Sequence, residues 1–316
     1  MKISKIRLLI FILSLLLLFT ISSVCSGCKL ISESETTKET LTEEQTNSEE
    51  SEEESTTQDS NSQENADSGN GNNIDGTQSQ QKYAIVVSGA SNDNQHYEWF
   101  LNSTSMAYDL LENNGYPDEN IYYLFENSIE RDVDYEATIN NFKKVTGELQ
   151  GKAEETDTII LLLIGHGTFS NTNSYYTLNN YNLPDFEMAE IFEDIKRDKL
   201  IFIFSPCNSG GFIDDLSGKN TIVISSTRED ETNRAAFIEP FLVSFDGIGD
   251  TNSDGKVSFT EAFNYASKNV RKQYIDNGWG ELTEHAQLDD NGDKISNEEP
   301  IPNGGDGCLG KDTYLK

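Results

Sequence analysis

Short apolar runs alternate with helical patterns through the middle of the chain. Five runs of mostly β-branched, leucine or aromatic residues predict buried strands, at 83–88, 121–125, 158–164, 200–204 and 221–225. Between them, apolar residues at helical spacing predict helices at 99–113, 135–153 and 185–197. This alternation predicts an α/β fold in which helices flank both faces of a mostly parallel sheet.

The N-terminus has a different pattern. Three basic residues precede an apolar run over 8–21, and small residues follow, which is the order of a secretory signal. Ser26-Gly27-Cys28 resembles a prokaryotic lipoprotein cleavage site, with Cys25 where that site usually has Leu, and so predicts lipidation at Cys28. An uncleaved membrane anchor is the alternative. Both interpretations of residues 1–28 predict a protein held on the extracytoplasmic face of the cell membrane.

Residues 29–81 contain almost nothing apolar. The stretch 31–80 holds 14 acidic residues and one lysine among Ser, Thr, Asn, Gln and Gly. Such a segment cannot bury enough surface to offset its conformational entropy, so we expect a disordered linker. The ordered body then divides into a core over 82–245 and a C-terminal region over 246–316.

The formal net charge of −32 adds an exclusion, because 55 acidic residues face only 23 basic ones. Binding to a phosphate backbone requires a footprint of lysine and arginine, so nucleic acid is excluded as a partner. Neither the charge nor the spacing of the motifs indicates an oligomeric state.

Two of the predicted strands end in residues with catalytic chemistry. The run 158–164 leads into Gly165-His166-Gly167, and the run 200–204 leads into 205–211, which contains Cys207. If these strands are neighbours, the imidazole and the thiol lie close together at the carboxyl ends of the sheet. We expect the imidazole and the dipoles of a following helix to lower the thiol pKa and favour the nucleophilic thiolate. The backbone N–H groups of Gly167 and Cys207 could stabilise an oxyanion. A structural turn and an inert buried thiol are the alternatives for the two sites.

The ordered pair of motifs, His-Gly after one apolar strand and Cys with Ser-Gly after the next, resembles the caspase-like cysteine peptidases. Within them, the legumain group (peptidase family C13) is the most similar, because 222–231, 250–266 and 287–293 also resemble its microbial members. The resemblance covers 83–295 and implies a caspase-like three-layer sandwich. It also implies that His166 is the general base or ion-pair partner, Cys207 the nucleophile and Gly167 part of the oxyanion hole.

The resemblance implies a substrate-positioning segment after the first strand, which is 89–97 here. Its candidates are Asn92, Asn94 and His96. After the fifth strand, the candidate substrate-binding residues are Ser226, Glu229 and Asp230. The two acids could recognise a basic or amide side chain, and a solvated loop is the simpler interpretation.

Residues 250–261 match the EF-hand calcium loop. The candidate ligands for a structural Ca²⁺ are Asp250, Asn252, Asp254, Lys256, Ser258 and Glu261, with Gly255 at the turn. An acidic turn without metal is the alternative. A second cluster, Asp289–Asp293, lacks the correctly placed glycine and closing acid. It could complete the same site, form another or be a solvated loop. No organic cofactor is indicated, and Cys308 has no identifiable partner.

Two functions from different classes fit these features. The first is an exported, membrane-tethered cysteine endopeptidase that hydrolyses a peptide or protein substrate through a thioester acyl-enzyme. The second is a non-catalytic, calcium-braced surface module that uses a caspase-like fold for binding. The presence of both His166 and Cys207 favours the enzyme.

Overall fold

A computed structural model describes residues 79–316 of the chain. The predicted signal, the lipidation site Cys28 and nearly all of the acidic linker lie outside the described residues. Within 79–316, no helix is long and apolar enough to cross a membrane.

Residues 79–316 form ten strands: β1 (Lys82–Val87), β2 (Ile121–Phe125), β3 (Tyr135–Glu136), β4 (Thr158–Leu163), β5 (Gly167–Ser170), β6 (Asn173–Thr177), β7 (Asn182–Pro184), β8 (Lys199–Phe204), β9 (Thr221–Ser225) and β10 (Gln287–Asp289). Seven of them make the main sheet in the order β10-β9-β8-β4-β1-β2-β3. Every neighbouring pair in this sheet is parallel except β9 with β10, which is antiparallel. All five predicted strands are therefore confirmed. The two short edge strands, β3 and β10, carry too few residues to give a sequence pattern.

The helices are α1 (Asn94–Asn113), α2 (Ile139–Lys152), α3 (Asp185–Glu193), α4 (Ile213–Leu216), α5 (Ile238–Val243) and α6 (Phe259–Asn277). The prediction starts α1 five residues too late. The Asp93 carboxylate accepts a hydrogen bond from the His96 N–H and begins the helix earlier, as an N-cap does. In contrast, α2 starts later than predicted because Tyr135 and Glu136 pair with β2, after which Thr138 caps the helix.

Helices cover both faces of the main sheet. Successive strand residues point to opposite faces, so Ala84 and Val86 join one apolar cluster while Ile85 and Val87 join the other. The first cluster includes residues of α1, α5 and α6, and the second includes residues of α2, α3 and α4. The body is thus a helix–sheet–helix sandwich. Residues from both 82–245 and 246–316 contribute to the first cluster.

A second sheet, which the sequence pattern did not predict, lies directly after β4. Its three antiparallel strands have the order β5-β6-β7. The hydroxyl of Tyr176 on β6 fastens it to the main sheet, since it lies 3.0 Å from the Val87 carbonyl oxygen and accepts a hydrogen bond from the Gly89 N–H at 3.1 Å. Because Tyr176 is fully buried, this small sheet holds a fixed position at the carboxyl ends of β1 and β4.

Candidate active site

The sheet register brings the two predicted catalytic residues to the same edge. Strands β4 and β8 are parallel neighbours, and Leu163 is paired with Phe204. His166 and Cys207 each lie three positions beyond this pair. The expectation that the two strands are adjacent is therefore confirmed.

The two segments pack tightly together at Gly167. A Cβ atom placed on Gly167 would lie 2.3 Å from the Cys207 carbonyl oxygen and 2.8 Å from Cβ of Pro206. Real Cβ atoms do not approach so closely, so only glycine lets the strand after His166 pack against the backbone of Cys207.

The N–H of Gly167 is not used by the β5–β6 ladder. The Thr177 N–H donates to the His166 carbonyl oxygen at 3.0 Å, which makes this opposed pair a hydrogen-bonded one. Because such pairs alternate along an antiparallel ladder, the next pair, Gly167 with Tyr176, is non-hydrogen-bonded. The Gly167 N–H consequently faces away from β6, as a donor to an oxyanion must.

The His166 ring is half-buried and packs against α1. Its centroid lies 4.9 Å from the His96 ring and 5.1 Å from the Phe100 ring, which it meets edge-on. The Nε2 atom is enclosed and has no hydrogen-bond partner among residues 79–316. Burial lowers the pKa of His166, His96 lowers it further, and Asp93 opposes the shift. The imidazole is therefore neutral near pH 7 and able to accept a proton.

His96 is the member of the predicted positioning segment that reaches the candidate site. Its Nδ1 lies 2.9 Å from Oδ2 of Asp93, and its own N–H is capped by the same carboxylate. Asn92 and Asn94 are exposed at the start of α1.

The Cys207 thiol is bonded to a loop residue and not to the imidazole. Its Sγ accepts a hydrogen bond from the Asn233 N–H at 3.2 Å and lies 3.5 Å from Oδ1 of Asn233. Within the described part of the chain, no hydrogen bond joins it to the His166 ring.

The expected fall in the Cys207 pKa is wrong. Burial raises the pKa of the thiol, Glu284 raises it further, and the Asn233 N–H only partly opposes the shift. The expected helix dipole is also weak, since Cys207 is followed by a 3₁₀ turn over Ser209–Phe212 and by α4, which has four residues.

Asn233 is a site residue that sequence analysis missed. Besides contacting the thiol, its side-chain Nδ2 donates to the Ser205 carbonyl oxygen and to Oγ of Ser226 at 3.3 Å. These bonds fix the segment that carries Cys207. No sequence signal marks this residue, because it is one polar residue in a polar loop and reaches the thiol only when that loop folds back.

Two acids hold the loop between β9 and α5 in place. Glu231 accepts a hydrogen bond from the His285 N–H at 2.9 Å, and its Oε1 lies 2.5 Å from Nδ1 of the same histidine. Glu284 is 2% exposed and accepts the N–H groups of Arg234 and Phe237 at 3.1 and 3.0 Å. Burial raises its pKa to about 7.

The predicted substrate-binding residues separate into two groups. Ser226 is buried, and its hydroxyl donates to the Ser205 carbonyl oxygen at 3.0 Å, so it braces the strand ends and offers no surface to a substrate. Glu229 and Asp230 are exposed. Glu229 lies beside the turn after Cys207, since a Cβ on Gly210 would be 2.7 Å from its backbone nitrogen.

The backbone of the EF-hand-like loop matches the motif, but its acids do not gather. Gly255 has a φ of +85°, as the turn requires, and Ser258 with Glu261 forms a capping box at the start of α6. Asp250 and Asp254 accept N–H groups of the loop, and the Glu261 carboxylate accepts those of Thr251, Asn252 and Ser258 at 3.0–3.2 Å. Among residues 79–316, no three His, Cys, Asp or Glu side chains cluster as a metal site. The donor types and the turn at Gly255 suit calcium, so the calcium site stays a prediction from the motif.

The first half of the second acidic cluster is buried, whereas the rest is solvated. Asp289 and Asp290 are buried, and so is Asp306 nearby. The Asp290 carboxylate accepts the N–H groups of Gly307 and Gly310 at 2.8 and 2.6 Å, while Asp289 accepts the Ser217 hydroxyl at 2.8 Å. Asp290 therefore ties the C-terminal segment to the end of β10, and Asp289 ties β10 to the turn after α4. Asn291 and Asp293 are exposed, as a solvated loop predicts.

Comparison with known proteins gives no family. No family model and no curated protein matches the chain. Among solved structures, protein GSU0716 from Geobacter sulfurreducens, a Northeast Structural Genomics target, is similar over 70% of this chain and 95% of that one. The TM-score is 0.45 and the identity 13%. A likeness at this level supports no statement about function, so the caspase-like assignment stays a prediction from the motifs.

Proposed function

We propose that the protein is an exported, membrane-tethered cysteine endopeptidase of the caspase-like type, with Cys207 as nucleophile and His166 as general base. One observation carries the proposal. The His166-Gly167 backbone packs directly against Cys207 at the carboxyl ends of two adjacent parallel strands, at a distance that excludes any side chain on Gly167. In open α/β sheets, ligands bind at this end of the strands.

The proposed reaction starts from a neutral pair. Since the pKa of His166 is lowered and that of Cys207 is raised, the resting residues are an imidazole and a thiol and not an ion pair. His166 takes the thiol proton as Sγ bonds to the scissile carbonyl carbon. The Gly167 N–H donates to the resulting oxyanion.

Collapse of this intermediate breaks the C–N bond, and the amine leaves with the proton held by His166. A thioester remains on Cys207. Water then attacks the thioester, His166 accepts its proton, and the C–S bond breaks to release the carboxylic acid and regenerate the thiol. Formation of the first intermediate requires the thiol to leave Asn233 and face the imidazole.

The contact between Cys207 and Asn233 favours the alternative function, a non-catalytic binding module. A buried thiol bonded to Asn233, with no hydrogen bond to the imidazole, is also the arrangement of an inert cysteine. The two functions therefore differ in whether Cys207 reacts.

The test uses the full chain with an iodoacetamide label, mapped by mass spectrometry, and a peptide-library cleavage screen with and without calcium. We expect Cys207 to be alkylated and peptides to be cleaved, and Cys207→Ala to abolish cleavage. Cys308→Ala is the matched control, since Cys308 is exposed and should be dispensable. Cleavage at the wild-type rate by Cys207→Ala contradicts the proposal. So does a wild-type protein that cleaves no peptide in either condition, which supports the binding module.

A further inference from the structure

The outer edge of β5 is an open strand edge that starts at the candidate active site. β5 is the first strand of the small sheet, and among residues 79–316 it pairs only with β6. Thr168, Phe169 and Ser170 are exposed, with Phe169 at 39%. Its four residues, Gly167–Ser170, include neither a charged residue nor a proline, which are the usual means of blocking pairing at an exposed edge.

The ladder register identifies which main-chain groups this edge presents. Hydrogen-bonded and non-hydrogen-bonded pairs alternate along the β5–β6 ladder, and the pair at Gly167 is non-hydrogen-bonded. The pair at Phe169 is therefore also non-hydrogen-bonded, whereas Thr168 with Tyr175 and Ser170 with Asn173 are hydrogen-bonded. The N–H and C=O groups of Gly167 and Phe169 therefore point away from β6. They lie ~7 Å apart, which is the repeat of two residues in an extended strand.

This edge is held rigidly against the segment that carries the thiol. The Ser174 hydroxyl on β6 donates to the Asn208 carbonyl oxygen at 2.6 Å, and the Ser174 N–H donates to buried Asp185 at 2.6 Å. Tyr176 fastens the same strand to the main sheet. The outward groups of β5 are thus fixed relative to Cys207.

We propose that the β5 edge binds the main chain of an extended peptide substrate, which adds as a further strand with its scissile carbonyl at Gly167. This inference rests on the proposed function and adds a substrate-binding surface to it. The residue of the substrate two positions from the scissile carbonyl pairs with the N–H and C=O of Phe169. Recognition here is independent of side chains, as in other cases of strand addition, so it favours unfolded or extended segments.

The test removes one donor and leaves the hairpin intact. Phe169→Pro removes the main-chain N–H of residue 169, which the β5–β6 ladder does not use. Thr168 is part of a strand, and this extended backbone is the one that a residue before proline prefers. We expect kcat/KM for casein to fall by about five- to ten-fold, the effect of losing one hydrogen bond. The rate of Cys207 alkylation by iodoacetamide should change by less than about two-fold, because that reagent has no peptide main chain to pair.

Two control variants separate the main chain from the side chain. Phe169→Ala keeps the N–H, so its casein rate should fall less than that of Phe169→Pro. Phe186→Ala removes another exposed aromatic, which lies on α3, and should alter neither rate.

Equal casein rates in wild type and Phe169→Pro overturn the inference. So does a fall in the rate of Cys207 alkylation as large as the fall in the casein rate, because it shows that the proline has displaced the hairpin. A loss of self-association in Phe169→Pro with unchanged casein cleavage, measured by sedimentation, instead assigns the edge to a second copy of the chain. If the wild type cleaves no casein or peptide, the proposed function fails, an outcome distinct from all of these.

Discussion

Replacing Gly167 with alanine tests the central contact of the site. The added Cβ would lie 2.3 Å from the Cys207 carbonyl oxygen, a backbone atom that cannot rotate away. Restoring an ordinary contact distance requires the two strand ends to separate by about 1 Å.

The separation has two consequences of different size. Overpacking of this kind costs about 1–3 kcal/mol, which corresponds to a fall in Tm of roughly 2–10 °C for a body of this length. The same ~1 Å displaces the Gly167 N–H and His166 relative to the thiol. Misplacement of reacting groups by that distance lowers a rate by about 10²-fold.

The assay is kcat/KM on a peptide from the cleavage screen, together with Tm from calorimetry and circular dichroism to establish folding. Gly147→Ala is the matched control, since its Cβ would meet no atom within 4 Å on an exposed part of α2. That variant should be fully active and more stable by about 0.5–1 kcal/mol, because alanine favours the helix. A Gly167→Ala protein with unchanged Tm and activity within about two-fold of wild type refutes the contact and the geometry built on it.

Two further predictions concern charge. The pKa of buried Glu284 rises from 4.5 to about 7 on folding. The stability that its protonated carboxyl contributes is therefore fully present below about pH 4.5 and is lost as the pH rises through 7. The free energy of unfolding falls by ~3 kcal/mol over this range. Urea unfolding at pH 5 and pH 8 should show this loss in wild type and a smaller one in Glu284→Gln, and equal pH dependence in the two proteins contradicts it. If calcium binds residues 250–261, about 2 mM Ca²⁺ should raise the Tm of wild type and of Asp293→Asn but not of Glu261→Gln, and no rise in wild type contradicts the site.

Local patterns were sufficient for much of the fold. Continuous apolar runs predicted the five long strands, because a strand buried on both faces needs no polar positions. His166 and Cys207 were identifiable because each lies just beyond the end of such a strand, His166 between two glycines and Cys207 three residues before Gly210. By contrast, the hairpin of β5 and β6 is polar and aromatic, and the Tyr176 hydroxyl anchors it to the main sheet.

The sequence by itself determined the class of fold, the order of the strands along the chain and the residue types available for chemistry. Only the tertiary structure decided their environments. The thiol pKa is raised and not lowered, Ser226 is a brace, Asp289 and Asp290 are buried acceptors, and Asn233 belongs to the site. Burial and hydrogen bonding set each of these properties, and both arise from segments distant in the chain that no local pattern relates.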